Sequence, residues 1–160
     1  MNKDRPHVQV LPEDRANEEL ANGFALDPSV DLRRFEVLKP SGGWMKILDE
    51  FSQIHAGALN NNHARYLILL IDFDKNSNRM QIAKERIPRN LLDRVFVLGV
   101  WSEPEDLKRS GLGRLERIGT DLARDCDEST TVTWDHELLR HNVEELNRMA
   151  PILKPILFGA

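Results

Sequence analysis

The stretch LILLIDFDKN, residues 67–76, constrains this chain more than any other. Extended upstream to YLILLIDF (66–73), it is the most continuous apolar run in the sequence, and it ends in Asp72 and Asp74, which bracket Phe73. An unbroken apolar run of strand length fits the central strand of a parallel sheet, covered on both faces. On an extended chain, residues at i and i+2 share a face, so both carboxylates are expected side by side where the strand ends.

The flanking segments alternate in kind. HVQVL (7–11) reads as a strand. EDRANEELANGFAL (13–26) reads as a helix with Ala16, Leu20, Ala21 and Phe24 near helical spacing. RFEVLKP (34–40) is a second strand, broken at Pro40-Ser41-Gly42-Gly43. WMKILDEFSQIHAGAL (44–59) then places Trp44, Ile47, Leu48, Phe51 and Ile54 on one helical face. After the polar turn NNNHAR and the third strand, a helical segment around MQIAKERI leads to a fourth strand, DRVFVLGVW (93–101). The order β-α-β-α-β-α-β predicts an α/β fold, a parallel Rossmann-like sandwich with helices on both faces. The last third reads as helical through EPEDLKRS, GRLERIGTDLARDC and HELLRHNVEELNRM, with ILKPILF expected as an edge strand or a docked extension. A chain of 160 residues suits one domain, with its core over 7–110 and a helical C-terminal extension over 111–160.

Composition narrows the function classes. With 41% hydrophobic and 30% charged residues the chain is an ordinary globular one, so disorder and coiled coil are disfavoured. The net charge of -4 is spread evenly, without a basic tail, so a polyanion would have to be held by local groups or by a metal ion. The single Cys126 excludes an internal disulfide and a multi-cysteine zinc site, and its acidic neighbours in ARDCDES disfavour a thiolate. MNKDRPHVQV has no long apolar stretch and no run approaches a membrane span, so a cytoplasmic location without membrane contact is expected.

In open parallel sheets, chemistry gathers at the carboxyl ends of the strands. Three of these ends carry acids here: Glu13 and Asp14, Asp72 and Asp74, and Glu103 and Glu105 within WSEPED. Carboxylates that meet repel one another unless protons or a cation neutralise them, so their convergence would call for Mg²⁺ or Mn²⁺. The second strand ends in SGGW, where the amides of Ser41, Gly42 and Gly43 at a helix start suit a phosphate. Each feature also has a purely structural use: Glu13 and Asp14 as acids opening a helix, SGGW as a turn, and Glu103 and Glu105 beside Pro104 at a helix start. His136 and His141 are five apart, so on a helix they would point to different faces and not share a metal.

An acid just after the first strand, followed by a hydrophobic strand ending in Asp-x-Asp, resembles the Toprim domain of topoisomerases, primases and OLD-type nucleases, over about residues 7–110. The matching residues are Glu13, Asp72 and Asp74. The resemblance implies magnesium-dependent breakage of a nucleic-acid backbone, with Glu13 as general acid or base and Asp72 and Asp74, together with Glu13, on metal. The one tyrosine, Tyr66, opens the third strand, at the end away from these acids, which argues against a topoisomerase. One cysteine cannot supply the zinc region of a primase. A small nuclease or nuclease subunit is what remains, acting on DNA in preference to RNA. Because OLD-type proteins join this domain to an ATPase, a separate ATPase partner is an expectation, as is a homo-oligomer. The alternative is a non-enzymatic doubly wound module that binds or scaffolds.

Overall fold

The computed structural model describes residues 4–159. Its centre is β3 (Arg65–Asp72), flanked by β1 (His7–Pro12) and β4 (Val95–Val100), with the short β2 (Phe35–Val37) outside β1. All neighbours are parallel, in the order β2-β1-β3-β4. The α/β architecture and the helices on both faces are as the alternation predicts. Side chains of β3 alternate between the faces. Ile68 and Leu70 join a core under α1 (Arg15–Ala25), α5 (Pro104–Arg109), α6 (Leu115–Glu128) and α7 (Val143–Leu157). Leu67, Leu69 and Ile71 join another under α2 (Trp44–Glu50), the π-helical turn Phe51–His55, α3 (Ala56–Asn61) and α4 (Asn78–Glu85).

Two corrections concern the C-terminal part. Residues 136–139 form turns rather than helix, and α7 begins at Val143 after a 3₁₀ turn. ILKPILF is not an edge strand; it docks on the core as the end of α7, which runs through Pro151 and Pro155 to Leu157. Proline in a helix interior removes a bond, but here Met149, Leu153, Ile156 and Leu157 are buried in the core, and that burial outweighs the lost hydrogen bonds. Among the described residues, no helix is long and apolar enough to cross a membrane.

Helices α1 and α6 cross in close contact through Gly23 and Gly119. A Cβ on Gly23 would fall 2.0 Å from the Glu116 carbonyl oxygen, and one on Gly119 would fall 2.1 Å from that of Leu20. Only glycine fits there.

Chain direction then places the site. After β1 the chain leaves for β2 on one side, and it returns to β3 on the other. Helix α1, which follows β1, covers one face, whereas α4, which follows β3, covers the opposite face. The carboxyl ends of β1 and β3 therefore bound the crevice where a doubly wound sheet accepts ligands.

Candidate functional site

Glu13 sits where β1 and its neighbours part. Its N–H donates to the Leu70 carbonyl at 2.9 Å, extending the ladder by one rung. The next rung of a parallel ladder would join the Asp72 N–H to the Glu13 carbonyl. That carbonyl is instead turned to accept from the N–H groups of Gly42 (2.8 Å) and Gly43 (3.1 Å), and the Asp72 N–H donates to Glu13 Oε1 at 3.2 Å. The side chain has taken the place of its own backbone oxygen. A carboxyl group only 6% exposed is thereby pinned to the end of β3.

The 41–43 turn enforces this exchange, and its role differs from the phosphate cradle the sequence suggests. The Ser41 N–H donates to the Pro12 carbonyl at 3.0 Å, so the amides of Ser41, Gly42 and Gly43 are all committed to backbone oxygens at the end of β1. Diverging strand ends leave carbonyls in need of donors, and this turn supplies them. Gly42, at φ +100°, makes the turn affordable as only glycine does. The Ser41 hydroxyl donates to Glu50 Oε1, whose partner oxygen meets His55.

Asp14 caps α1, accepting from the Asn17 N–H at 3.0 Å. Asn17, fully buried, donates Nδ2 to both Asp14 Oδ1 (2.9 Å) and Asp72 Oδ1 (2.7 Å). Its own Oδ1 is buried without a hydrogen-bond partner. One carboxylate oxygen each from Glu13, Asp14 and Asp72 lies within 4.8 Å of the others. Arg79, a cation beside the site, is turned aside: Nη1 donates to the Asp72 carbonyl at 2.7 Å, Nη2 is 3.7 Å from Asp74, and the guanidinium lies 4.7 Å over the Trp44 ring.

The electrostatics follow from that geometry. Burial pushes the Asp72 carboxyl up to about 8; the Asn17 amide opposes the shift, and the charges of Asp14 and Glu13 add to it. Burial also raises Glu13, against the Asp72 N–H, with Asp14 and Asp74 raising it further and Arg79 lowering it. At neutral pH the cluster keeps a proton that a cation would displace.

The remaining expected ligands do not join this cluster. β3 ends at Asp72, and Asp74 and Lys75 both adopt left-handed backbone angles, φ 51° and 56°. The carboxylate of Asp74, 77% exposed, turns to Arg79 and not to the face Asp72 occupies. Two successive non-glycine residues in that region store strain of order 1–3 kcal/mol each, held by bonds from Asp74 N–H to the Ser102 carbonyl and from Lys75 N–H to the Trp101 carbonyl. Glu103 occupies the N-cap position of α5 without a side-chain capping bond and lies 4.0 Å from Arg109; Glu105 is in the first turn of that helix. Both serve the helix start. His141 packs on Phe73 and Trp101 with ring centroids at 4.8 and 5.4 Å, and His136 lies in the preceding turns.

Asn17 and Arg79 are the residues that sequence reasoning missed. Asn17 has a signal in hindsight: it follows Asp14 by three on an opening helix, the spacing of a capping partner. Arg79 has none, because its position depends on the left-handed turn before it. The donor set, three carboxylates rich in hard oxygen, fits Mg²⁺ or Mn²⁺ and is poor for thiophilic metals. The orphaned Asn17 oxygen beside it is a further oxygen donor in need of a partner. No family model, curated protein or solved structure matches this chain.

Proposed function

We propose that the chain is a metal-dependent nuclease or nuclease subunit that hydrolyses phosphodiesters in nucleic acid, with DNA as the favoured substrate. The observation that carries this reading is the clustering of Glu13, Asp14 and Asp72 at the β1/β3 switch point, with Asp72 kept protonated near neutrality. Protein charges at the site are unbalanced, and a divalent cation with a phosphate oxygen is the chemistry that balances them. When bound, such a cation supplies charge neutralisation at the scissile phosphate and eases ionisation of water.

The chain's own residues then divide the work. Asp72, Glu13 and Asp14 hold the cation, with Asn17 fixing the spacing of Asp14 and Asp72. Glu13, its carboxyl raised by burial, accepts the proton from attacking water or returns it to the leaving oxygen. Arg79, seated on Trp44 at the site's rim, meets a phosphate of the substrate backbone, and Asp74 orients that guanidinium. With net charge -4, capture of a polyanion depends on these few contacts or on a partner, and a separate ATPase is the partner proposed.

The test is nicking of supercoiled plasmid in Mg²⁺ or Mn²⁺, with Asp72→Asn and Glu13→Gln beside the parent. Nicking by the parent alone supports the reading. Nicking that survives in both variants would sink it, and a chain that binds neither metal nor DNA, alone or with a co-purified ATPase, belongs to the non-enzymatic class.

A further inference from the structure

At the central strand the two faces of the sheet are packed differently. Along β3, relative exposure alternates: Leu67 0%, Ile68 6%, Leu69 0%, Leu70 9%, Ile71 0%. The zero values face α2, α3 and α4, where Ile47, Leu48, Phe51 and Leu59 are also fully buried. The non-zero values face the side covered by α1, α5, α6 and α7. Water-sized space exists beneath them. It forms a cavity of about 290 Å³ lined by Leu20, Phe24, Leu70, Leu98, Met149 and Leu153.

The walls are held apart by polar bonds rather than by packing. Asp125, 4% exposed, accepts from Thr130 Oγ1 (2.6 Å) and from the N–H groups of Val132 (3.2 Å), Thr133 (2.7 Å) and Trp134 (3.1 Å), which fixes the 130–134 segment as one wall. The Trp134 Nε1–H donates to the Leu122 carbonyl at 3.2 Å. On another side, the glycine crossing of α1 with α6 sets the position of both helices. The space opens to solvent on one side, and in a close-packed protein an apolar recess of this size is uncommon. The polar residues of the lining, Ser129, Thr130, Thr131, Asn147 and Lys154, sit at its edge, and Lys154 Nζ reaches Ser129 Oγ at 2.5 Å. Asp125 is already satisfied by four donors and asks nothing of a ligand. Cys126, also in the lining, has its thiol pushed up to about 11 by burial and is inert there.

We infer that this cavity is a binding site for a small apolar molecule with one anionic end, a medium-chain or arylalkyl carboxylate whose body lies against the sheet and whose carboxylate meets Lys154. An apolar cavity of about 150 Å³ holds one benzene, so this one takes an apolar body of roughly ten to twelve non-hydrogen atoms. The site is independent of the acidic cluster and of the reaction proposed for it.

The experiment is calorimetric titration of the purified chain with octanoate and with 1-octanol, alongside melting temperatures. Octanoate is expected to bind one per chain and raise the melting temperature. Leu98→Trp, which fills the cavity from β4, is expected to abolish binding while melting no lower than the parent; should it fail to fold, Met149→Phe fills the space from α7 and carries the same expectation. Lys154→Met is expected to weaken octanoate about tenfold and leave 1-octanol unchanged, the loss of one charge-assisted hydrogen bond. Absence of octanoate binding to the parent, or equal binding to a folded filled variant, overturns the site. Equal loss of both ligands in Lys154→Met overturns the anionic end.

Discussion

Two carboxylate sites border the central strands, one around Glu145 and one around Glu13 and Asp72, and they are built on opposite logic. At the outer edge of β4, Glu145 accepts from Lys84 Nζ (2.5 Å), Arg148 Nε (2.9 Å) and the Val97 N–H (2.8 Å). Beside it, the Asn142 side chain exchanges two hydrogen bonds with the Gly99 backbone, and Arg148 Nη2 donates to the Val95 carbonyl. Side chains of the last helix and of the turn that opens it thus stand in for a fifth strand and close an edge that would otherwise template aggregation. Burial alone would raise the Glu145 pKa, but its three kinds of donor outweigh that and hold the carboxyl below its ordinary value. At the carboxyl ends of β1 and β3, Glu13 and Asp72 have burial and like charge with few donors, and both are raised. A carboxylate that the protein neutralises itself is structural. One left unneutralised in a crevice is a functional candidate.

The comparison breaks most visibly through Glu145. Glu145→Ala leaves Lys84 and Arg148 without their anion and the Val97 N–H without an acceptor, so a loss of about 3–5 kcal/mol is expected in urea unfolding. For Asp72→Asn the sign reverses. Without metal, the asparagine variant is expected to be more stable than the parent by about 1–2 kcal/mol at pH 7, after allowance for the partial exposure of the site, and to lose metal binding.

Titration separates the two sites further. Because the folded pKa of Asp72, about 8, lies above its unfolded value, its contribution to stability is complete at low pH. It declines as pH rises from about 4 to about 8. Glu145, with a lowered pKa, contributes above its unfolded value and is lost as pH falls below about 4.5. Unfolding curves at pH 4, 6 and 8 on the parent, Asp72→Asn and Glu145→Gln should show these opposed slopes; parallel slopes would refute the contrast. Mg²⁺ affinity should rise up to tenfold per pH unit below about 8, since binding must expel the Asp72 proton, and calorimetry in buffers of different ionisation enthalpy will count that proton.

Smaller effects sharpen the picture. Asn17→Ala removes a donor to both Asp14 and Asp72 and should cost about 1 kcal/mol while shifting the pH midpoint of metal binding upward. Asp74→Asn and Glu103→Gln, both on exposed carboxylates, should change stability by less than about 0.5 kcal/mol. Of the two, only Asp74→Asn should weaken DNA nicking, through the freed Arg79.

Much of this molecule is legible from its residues one segment at a time. LILLI is a central strand because none of its side chains is content in water, and the alternation of apolar runs with helical periods leaves the parallel sandwich as the arrangement that buries them all. Glu13 and Asp72 were visible as acids at strand ends for the same local reason. What segments cannot contain is which ends become neighbours. Strand order put β1 beside β3 and so joined residues 59 apart at one hydrogen bond, and a left-handed turn sent Asp74 away from Asp72 despite their spacing. The glycine turn looked like an anion cradle until the carbonyls of Pro12 and Glu13 claimed its amides. Local propensity and hydrophobic period are properties of a stretch of chain and are written in it. Hydrogen-bond partnership, burial of charge and the void beneath α7 are properties of pairs distant in sequence, and they came into being only when the layers closed.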